Sequence, residues 1–249
     1  MPPAPVVALS DVWKSFEANQ VLRGVSLALD RGTTLAVMGG SGSGKTVLLR
    51  VIDGLLAPDA GAVSLFGTRI DRLREEQMLP LRRRTGFVFQ GAALFDSLSV
   101  FENVAFPLRE HTTMSLGEIT DRVHRLLSLV GLPNTDSLLP AELSGGMRKR
   151  VGIARALAMD PEVVFFDEPT AGLDPTNARV VTELIVELRT GVCDTAIVVT
   201  HDIELANMVA DQMAILYQGQ FAEMGTPAEI HRSANPDVRR FLAGEQRGN

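Results

Sequence analysis

The sequence has little cysteine and no excess of basic charge, and each shortage excludes a class of protein. Cys193 is the one cysteine, so neither an intramolecular disulfide nor a cysteine-rich metal site can form within the chain. Lysine and arginine together number 24 against 30 aspartates and glutamates, a net charge of −6. This balance argues against a general nucleic-acid binder, and we expect no nucleic-acid partner.

Long apolar runs are also missing. No run approaches the roughly 20 residues that a helix needs to cross a bilayer. The opening Met-Pro-Pro-Ala-Pro lacks the basic and apolar regions of a signal peptide. We therefore expect a chain in the cytoplasm, or one attached to the cytoplasmic side of a membrane component. With 249 residues, the chain can bury a substantial core without disulfides.

Strand and helix patterns alternate at both ends of the chain, and the middle is helical. Short apolar runs at 33–38, 162–166 and 195–199 are typical of buried strands. Ser115 and Thr226 each precede a glutamate by three residues, the capping-box pattern that predicts a helix start. The sequence thus predicts an α/β core that holds an α-helical insertion.

Residues 39–46 match the P-loop pattern and lie between a predicted strand and a predicted helix. Glycines let backbone N–H groups converge on a phosphate, and the helix N-terminus adds partial positive charge. Lys45 is expected to reach the β- and γ-phosphates, and the Thr46 hydroxyl to ligate Mg²⁺. The alternative is a glycine-rich turn with an exposed lysine.

Two carboxylates, Asp167 and Glu168, follow the apolar run that ends at Phe166. Asp167 is suited to hold Mg²⁺, directly or through water, and Glu168 to orient and activate the attacking water. A strand end with solvated acids is the simpler alternative. The buried strand before the pair favours a functional role.

A second anion site is predicted at the start of another helix. Ser144 is a good N-cap, and Gly145 and Gly146 expose further N–H groups there. On local evidence, a plain capped helix is equally compatible with these residues.

Six motifs together carry a resemblance to a known family. Besides the P-loop they are Gln90 after Phe87-Val-Phe, Leu143-Ser-Gly-Gly146, Asp167-Glu168-Pro169, Ala171-Gly-Leu-Asp174, and His201 after Val198-Val-Thr. In their order and spacing the chain resembles the nucleotide-binding subunits of ABC transporters over nearly its whole length. The resemblance implies an α/β fold: a P-loop NTPase (RecA-like) core with an antiparallel β subdomain and an inserted α-helical subdomain.

The same resemblance implies a division of the chain. One ABC ATPase domain would span 1–249. Its nucleotide-binding core, including the N-terminal β subdomain, would comprise 1–94 and 158–244. The helical signature subdomain would comprise 95–157, and 245–249 would be a polar tail.

The resemblance further implies a head-to-tail homodimer that binds two ATP molecules with Mg²⁺. One subunit would bind each ATP through Phe16, Gly39, Gly40, Ser41, Gly42, Ser43, Gly44, Lys45, Thr46 and Val47, and the other through Ser144, Gly145 and Gly146. Phe16 would stack on adenine, with Trp13 the less favoured aromatic. Val47 has no hydroxyl, so a phosphate contact there must come from its backbone N–H.

The resemblance to the ABC family also implies catalytic and metal-binding roles. Glu168, His201 and Gln90 would be catalytic, while Thr46, Gln90 and Asp167 would hold the metal. Asp174 would shape the dimer contact. His201 would hold the γ-phosphate and the catalytic water, and Gln90 would sense both metal and water.

Met147-Arg-Lys-Arg150 stands where amino-acid importers usually have glutamines, which argues against that class. Two further features, Val47 in the P-loop and Leu94-Phe-Asp-Ser97, are similar to the ATPases of MCE lipid-transport systems, also called Mla or Ttg2 systems. They imply an ATPase at the cytoplasmic face of the inner membrane that drives phospholipid transport with an MCE-type permease and an MCE-domain lipid-binding protein. A small STAS-type subunit is an optional partner. Two alternatives stay open: a small-solute importer ATPase, and a non-transporting regulator of a membrane complex.

The segment just after Gln90 predicts a surface that contacts the permease. Leu94, Phe95, Val100 and Phe101 can form an apolar docking groove just after Gln90. Internal packing of these side chains is the alternative.

Overall fold

The core of the fold consists of buried apolar strands. These strands are divided between two compact units of the chain. The computed structural model describes residues 4–244; one unit comprises residues 4–82 and 194–244, and the other residues 83–193. The polar tail predicted at 245–249 lies outside the described residues. Within residues 4–244, no helix combines the length and apolar character needed to cross a membrane.

An antiparallel sheet occupies the first part of the first unit. Its strands are β1 (Val7–Phe16), β2 (Asn19–Leu29), β4 (Ala60–Leu65) and β5 (Thr68–Arg69), in the order β2-β1-β4-β5. β1 and β2 pair from Val7 with Leu29 to Phe16 with Asn19, so a tight turn joins them. This sheet is the antiparallel β element that the family resemblance implies.

Three further strands of the first unit belong to the same sheet as β3 (Thr34–Met38). β3 pairs in parallel with β8 (Ala196–Thr200) on one side and β9 (Gln212–Tyr217) on the other, and β10 (Gln220–Gly225) is antiparallel to β9. Every residue of β3 and β8 is buried, as the apolar runs predict. The helices of this unit are α1 (Lys45–Ile52), α2 (Glu75–Arg82), α7 (Ile203–Val209), α8 (Pro227–His231) and α9 (Pro236–Leu242).

The second unit contains two parallel strands and a group of helices. β6 (Thr85–Val88) pairs with β7 (Val163–Asp167), with Val88 opposite Phe166. The helices are α3 (Val100–His111), α4 (Leu116–Leu129), α5 (Gly145–Ala156) and α6 (Pro175–Gly191), and a short 3₁₀ turn covers Pro140–Glu142. The stretch 95–157 falls within this unit, which also contains β6, β7 and α6.

The predicted helix starts are confirmed. Ser115 and Thr226 are the N-caps of α4 and α8, and both form complete capping boxes with Glu118 and Glu229. Ser144 is the N-cap of α5. In α4 the apolar residues on one face are buried, which anchors the helix to its unit.

Candidate nucleotide-binding and catalytic site

The P-loop leaves the end of β3 and leads directly into α1. A Cβ atom on Gly39 would lie 2.4 Å from the carbonyl oxygen of Leu216, a distance that excludes any side chain. Gly44, at the N-cap of α1, has a φ of 101°, which glycine adopts without strain. The glycines at these two positions therefore follow from packing and backbone conformation.

The start of α1 differs from the other helix starts. Helices α3 to α9 each begin with a Ser, Thr, Asp or Asn whose side chain accepts a backbone N–H, whereas Gly44 provides no such acceptor for α1. The Ser43 hydroxyl beside it is buried and has no hydrogen-bond partner among the described residues. Phosphate oxygens would supply the acceptors that both features lack.

Lys45 is held over its own loop. Its Nζ donates to the carbonyl oxygens of Gly39 at 2.8 Å and Gly40 at 3.0 Å, and the side chain is buried. These bonds place the ammonium beside the loop whose N–H groups would bind phosphate. The alternative of an exposed lysine is wrong.

A cavity of about 390 Å³ adjoins the P-loop in the first unit. Its lining residues are Asn19, Gln20, Val21, Arg23, Gly42, Ser43, Gln218 and Gly219. This volume is within the range of small-ligand sites. The cavity is open and mostly polar at its walls, as a site for a nucleotide would be.

Phe16 is the available aromatic side chain at the end of β1. Its ring is 46% exposed, and Lys14 Nζ lies 5.6 Å from its centroid. Trp13 is half-buried, and its indole N–H donates to Asp11 Oδ1 at 3.0 Å. The exposed ring of Phe16 is thus better suited than Trp13 to stack on a base.

His201 follows β8 and is exposed. Since β8 and β3 are adjacent parallel strands, with Thr200 opposite Met38, His201 and the P-loop both leave the same edge of the sheet. This is the edge where ligands bind in open α/β sheets.

In the second unit, the ends of β6 and β7 bring Gln90 and the two acids together. Asp167 is the last residue of β7, and both it and Glu168 are buried. Glu168 has a φ of 47°, a left-handed conformation that costs a non-glycine residue about 1–2 kcal/mol. The backbone there needs support from its surroundings, and the Ala171 N–H provides some by donating to the Glu168 carbonyl at 3.2 Å.

Lys149 gives further support and was not among the predicted site residues. Its Nζ donates to the carbonyl oxygens of Gln90 and Glu168, and the residue is only 6% exposed. Burial lowers the pKa of Lys149, while the charges of Asp167 and Glu168 act to raise it. The sequence does hold a signal: Lys149 lies three residues after Gly146 and four before Ile153, on the buried face of α5.

The predicted second anion site lies at the start of α5, close to the start of α6. Ser144 Oγ accepts the Met147 N–H at 3.2 Å while the residue stays exposed. Asp174 caps α6 by accepting the N–H groups of Thr176 and Asn177, and the Asn177 side chain donates to it at 2.6 Å. The bonds from Asn177 lower the pKa of Asp174.

Gly146 lies directly against that cap. A Cβ atom on Gly146 would be 2.6 Å from Asn177 Oδ1, so any side chain there would displace the Asn177 side chain. The start of α5 and the Asp174 cap are therefore one packed arrangement joined by Asn177.

The predicted permease-docking groove is only partly available. Val100 is fully buried at the start of α3, so its place in that groove was wrong. Phe95 and Phe106, by contrast, are 44% and 39% exposed, with ring centroids 4.8 Å apart. Buried Asn103 fixes this segment by donating to the carbonyls of Phe95, Leu98 and Ser99.

Comparisons with known proteins give one consistent family. The family model described as "ABC transporter" matches residues 22–171. MlaF of Escherichia coli K12, an ATP-binding protein of an intermembrane phospholipid transport system, is 38% identical over 97% of this chain and 90% of its own. Mkl of Mycobacterium leprae, a probable ribonucleotide transport ATP-binding protein, is 37% identical over 100% of this chain and 72% of its own.

A solved structure supports the same family assignment. The dimeric ATP-binding cassette MJ0796, in a post-hydrolysis state with ADP and Pi, superimposes with a TM-score of 0.83 at 32% identity. The match covers 89% of this chain and 98% of that one. It confirms the predicted P-loop NTPase fold. The chain is an ATP-binding, ATP-hydrolysing member of the ABC transporter family.

Proposed function

We propose that this ATPase drives phospholipid movement between membranes as the energising subunit of an MCE (Mla-type) permease complex. The observation that carries the proposal is the match to MlaF, which spans 97% of this chain and 90% of the relative. Val47 and the Leu94–Ser97 stretch support the same subfamily, and Met147–Arg150 argues against an amino-acid importer.

The working form would be a head-to-tail homodimer. Each ATP would be bound by the P-loop of one protomer and by Ser144, Gly145 and Gly146 of the other. Ser144 suits this role because its hydroxyl is exposed and retains an O–H donor while Oγ caps α5. Asp174, also exposed, would lie at the dimer contact.

Within one protomer, the P-loop from Gly39 to Val47 would bind the phosphates and Phe16 would stack on adenine. The buried Ser43 hydroxyl and the uncapped start of α1 support phosphate binding. Lys45 would exchange its bonds to the loop carbonyls for bonds to the β- and γ-phosphates.

Mg²⁺ would bind to the oxygen donors that the motifs offer: the Thr46 hydroxyl, the Gln90 amide and the Asp167 carboxylate. Across the described residues, no group of three His, Cys, Asp or Glu side chains could hold a metal on its own. A cation that binds few protein carboxylates together with substrate phosphates is typical Mg²⁺ chemistry. Mg²⁺ would supply charge neutralisation on the phosphates.

Hydrolysis would depend on three side chains. Glu168 would act as the general base toward water, and its buried backbone would hold the carboxylate in one place. His201 would hold the γ-phosphate and the water. Gln90 would orient the water and pass the nucleotide state to the permease.

The site of action would be the cytoplasmic face of the inner membrane, where the chain would be peripheral. Its partners would be an MCE-type permease, an MCE-domain lipid-binding protein and, optionally, a small STAS-type subunit. The exposed Phe95 and Phe106 rings support a permease contact in this segment.

A second candidate is an importer of small polar solutes. The name of the mycobacterial relative, a probable ribonucleotide transporter, favours it. The mechanism of ATP hydrolysis would be the same, and only the permease and the cargo would differ.

The test is affinity purification of the chain from detergent-solubilised native membranes, followed by mass spectrometry of the co-purified proteins and lipids. We expect a permease, an MCE-domain protein and phospholipid. A permease with a soluble solute receptor and no MCE protein would reject the lipid proposal and leave the ATPase unaffected. A regulator of cell division without a transport partner would indicate a non-transporting role.

A further inference from the structure

Lys149 is a buried cation at the point where β6 and β7 end. It lies on α5, five residues after Ser144, and its side chain extends to the carbonyl groups of Gln90 and Glu168. Lysine is almost never this buried unless its ammonium is fully paired. A side chain with such placement therefore has a specific task in this part of the unit.

The two carbonyls belong to the two residues to which we assign water activation and metal sensing. Gln90 and Glu168 each leave the carboxyl end of one of two adjacent parallel strands. Beyond those ends the strand ladder no longer fixes the backbone. Glu168 is moreover in a left-handed conformation, so the direction of its side chain depends on how its own peptide group is held.

We propose that Lys149 is a positioning residue of the ATPase site, holding the Gln90 and Glu168 backbones at a fixed separation. The inference rests on the proposed roles of these two residues. Lys149 is not a catalytic residue, because its bonds go to main-chain carbonyls of this chain.

A neighbouring contact supports the same arrangement. Arg155, six residues further along α5, donates to the carbonyls of Ala92 at 2.9 Å and Ala93 at 2.9 Å. Both alanines are left-handed, with φ of 61° and 49°. Between the two cations, Gly152 lets the helix approach so closely that an added Cβ would be 3.3 Å from Ala92 Cβ. The helix that starts at Ser144 thus holds the segment after Gln90 at several points.

The chain offers a matched control on the same helix. Arg150 is also partly buried and also donates to main-chain carbonyls, at 3.0 Å from Val130 and 3.0 Å from Gly131. Those two residues directly follow α4, and neither is an assigned catalytic residue. Arg150→Met therefore removes a cation and two carbonyl bonds of the same type without releasing Gln90 or Glu168.

The experiment measures ATPase kcat and KM, ATP affinity and the melting temperature for Lys149→Met, Lys149→Arg and Arg150→Met. We expect Lys149→Met to lower kcat by roughly tenfold to a hundredfold, as a misplacement of about 1 Å does, with KM within about threefold of wild type. Lys149→Arg, which keeps a cationic donor, should recover most of the loss. Arg150→Met should lower the melting temperature and leave kcat within about twofold.

Wild-type kcat in folded Lys149→Met would overturn the inference, as would a kcat in Arg150→Met that falls equally. If Lys149→Met does not fold, Lys149→Gln replaces it, and the same split between kcat and KM is expected. Glu168→Gln, measured in parallel, separates the two proposals. If Glu168→Gln is inactive and Lys149→Met is fully active, only the role of Lys149 is rejected. If Glu168→Gln turns over normally, the role of Glu168 as base fails first.

Discussion

At the scale of single residues, the polar side chains divide by the kind of partner they have. Lys45, Asp167 and Glu168 were selected from the sequence because each belongs to a short motif with fixed spacing. Lys149 and Asn177 were not predicted, since their partners are a backbone carbonyl or a helix cap that only the fold brings near. A motif therefore predicts candidate ligand-binding groups, but it does not show which neighbouring side chains hold those groups in place.

Glu168→Gln tests the assignment of the base. The amide keeps the size of the side chain but cannot accept a proton, so ATP should still bind while hydrolysis slows at least roughly a hundredfold. Steady-state turnover together with a direct ATP titration checks both parts. Turnover at the wild-type rate would remove Glu168 from that role.

Gly146→Ala tests the packing beneath the second anion site. The added Cβ would meet the Asn177 side chain at 2.6 Å and disturb the bond that Asn177 makes to Asp174. Overpacking costs about 1–3 kcal/mol, and if this cost falls on the dimer contact, the ATP-dependent dimerisation constant falls about fivefold to 140-fold. Analytical ultracentrifugation in a Glu168→Gln background, with ATP, measures it.

Gly117→Ala is the matched control for that substitution. Gly117 lies in α4, and an added Cβ there meets nothing within 4 Å. Its dimerisation should equal that of the parent. Equal dimerisation in Gly146→Ala would show that the Gly146–Asn177 contact has no part in the dimer.

At the scale of elements, helix starts were the most predictable feature. Ser115, Ser144 and Thr226 were assigned as caps from local sequence, and the structure confirms all three. A cap needs only residues three positions apart, so no distant contact can alter the pattern. No pattern predicts α2, because Pro80 lies inside it and lacks the N–H of a regular helix.

Glu118→Gln tests the capping box of α4 through pH. Bonds from the Ser115 side chain and backbone N–H lower the pKa of Glu118, so the unfolded state binds more protons than the folded state in the acidic range. The ionised Glu118 therefore stabilises the folded state at pH values above about 4.3, its pKa in the unfolded state. This stabilisation is lost as the pH falls through the lower pKa of Glu118 in the folded state.

The expected result is a melting-temperature difference between wild type and Glu118→Gln that is constant near neutral pH and shrinks below about pH 4.3. Thermal unfolding at a series of pH values measures it. Glu110→Gln, the same change at an exposed position late in α3, is the control. A difference that stays constant down to pH 3 would show that the Glu118 charge does not stabilise the cap.

At the scale of the whole molecule, the sequence predicts the family and its fold but not the strand pairing. β3 lies between β8 and β9, although both follow it by more than 150 residues along the chain. The apolar runs of these strands look alike in the sequence, so the runs alone do not predict which strands pair. Only the resemblance to a known family predicts the strand order. The motifs likewise do not predict the transported molecule, because the residues assigned to ATP hydrolysis are separate from those that would contact a lipid.

The most direct measurement of the central claim is phospholipid movement by the complex that co-purifies with this chain, reconstituted in liposomes. The wild-type complex and one with Glu168→Gln would be compared, each with and without Mg²⁺ and ATP. We predict that ATP drives phospholipid movement in the wild type and that Glu168→Gln slows it at least roughly a hundredfold. Movement that is equally fast without ATP, or in the variant, would contradict the account.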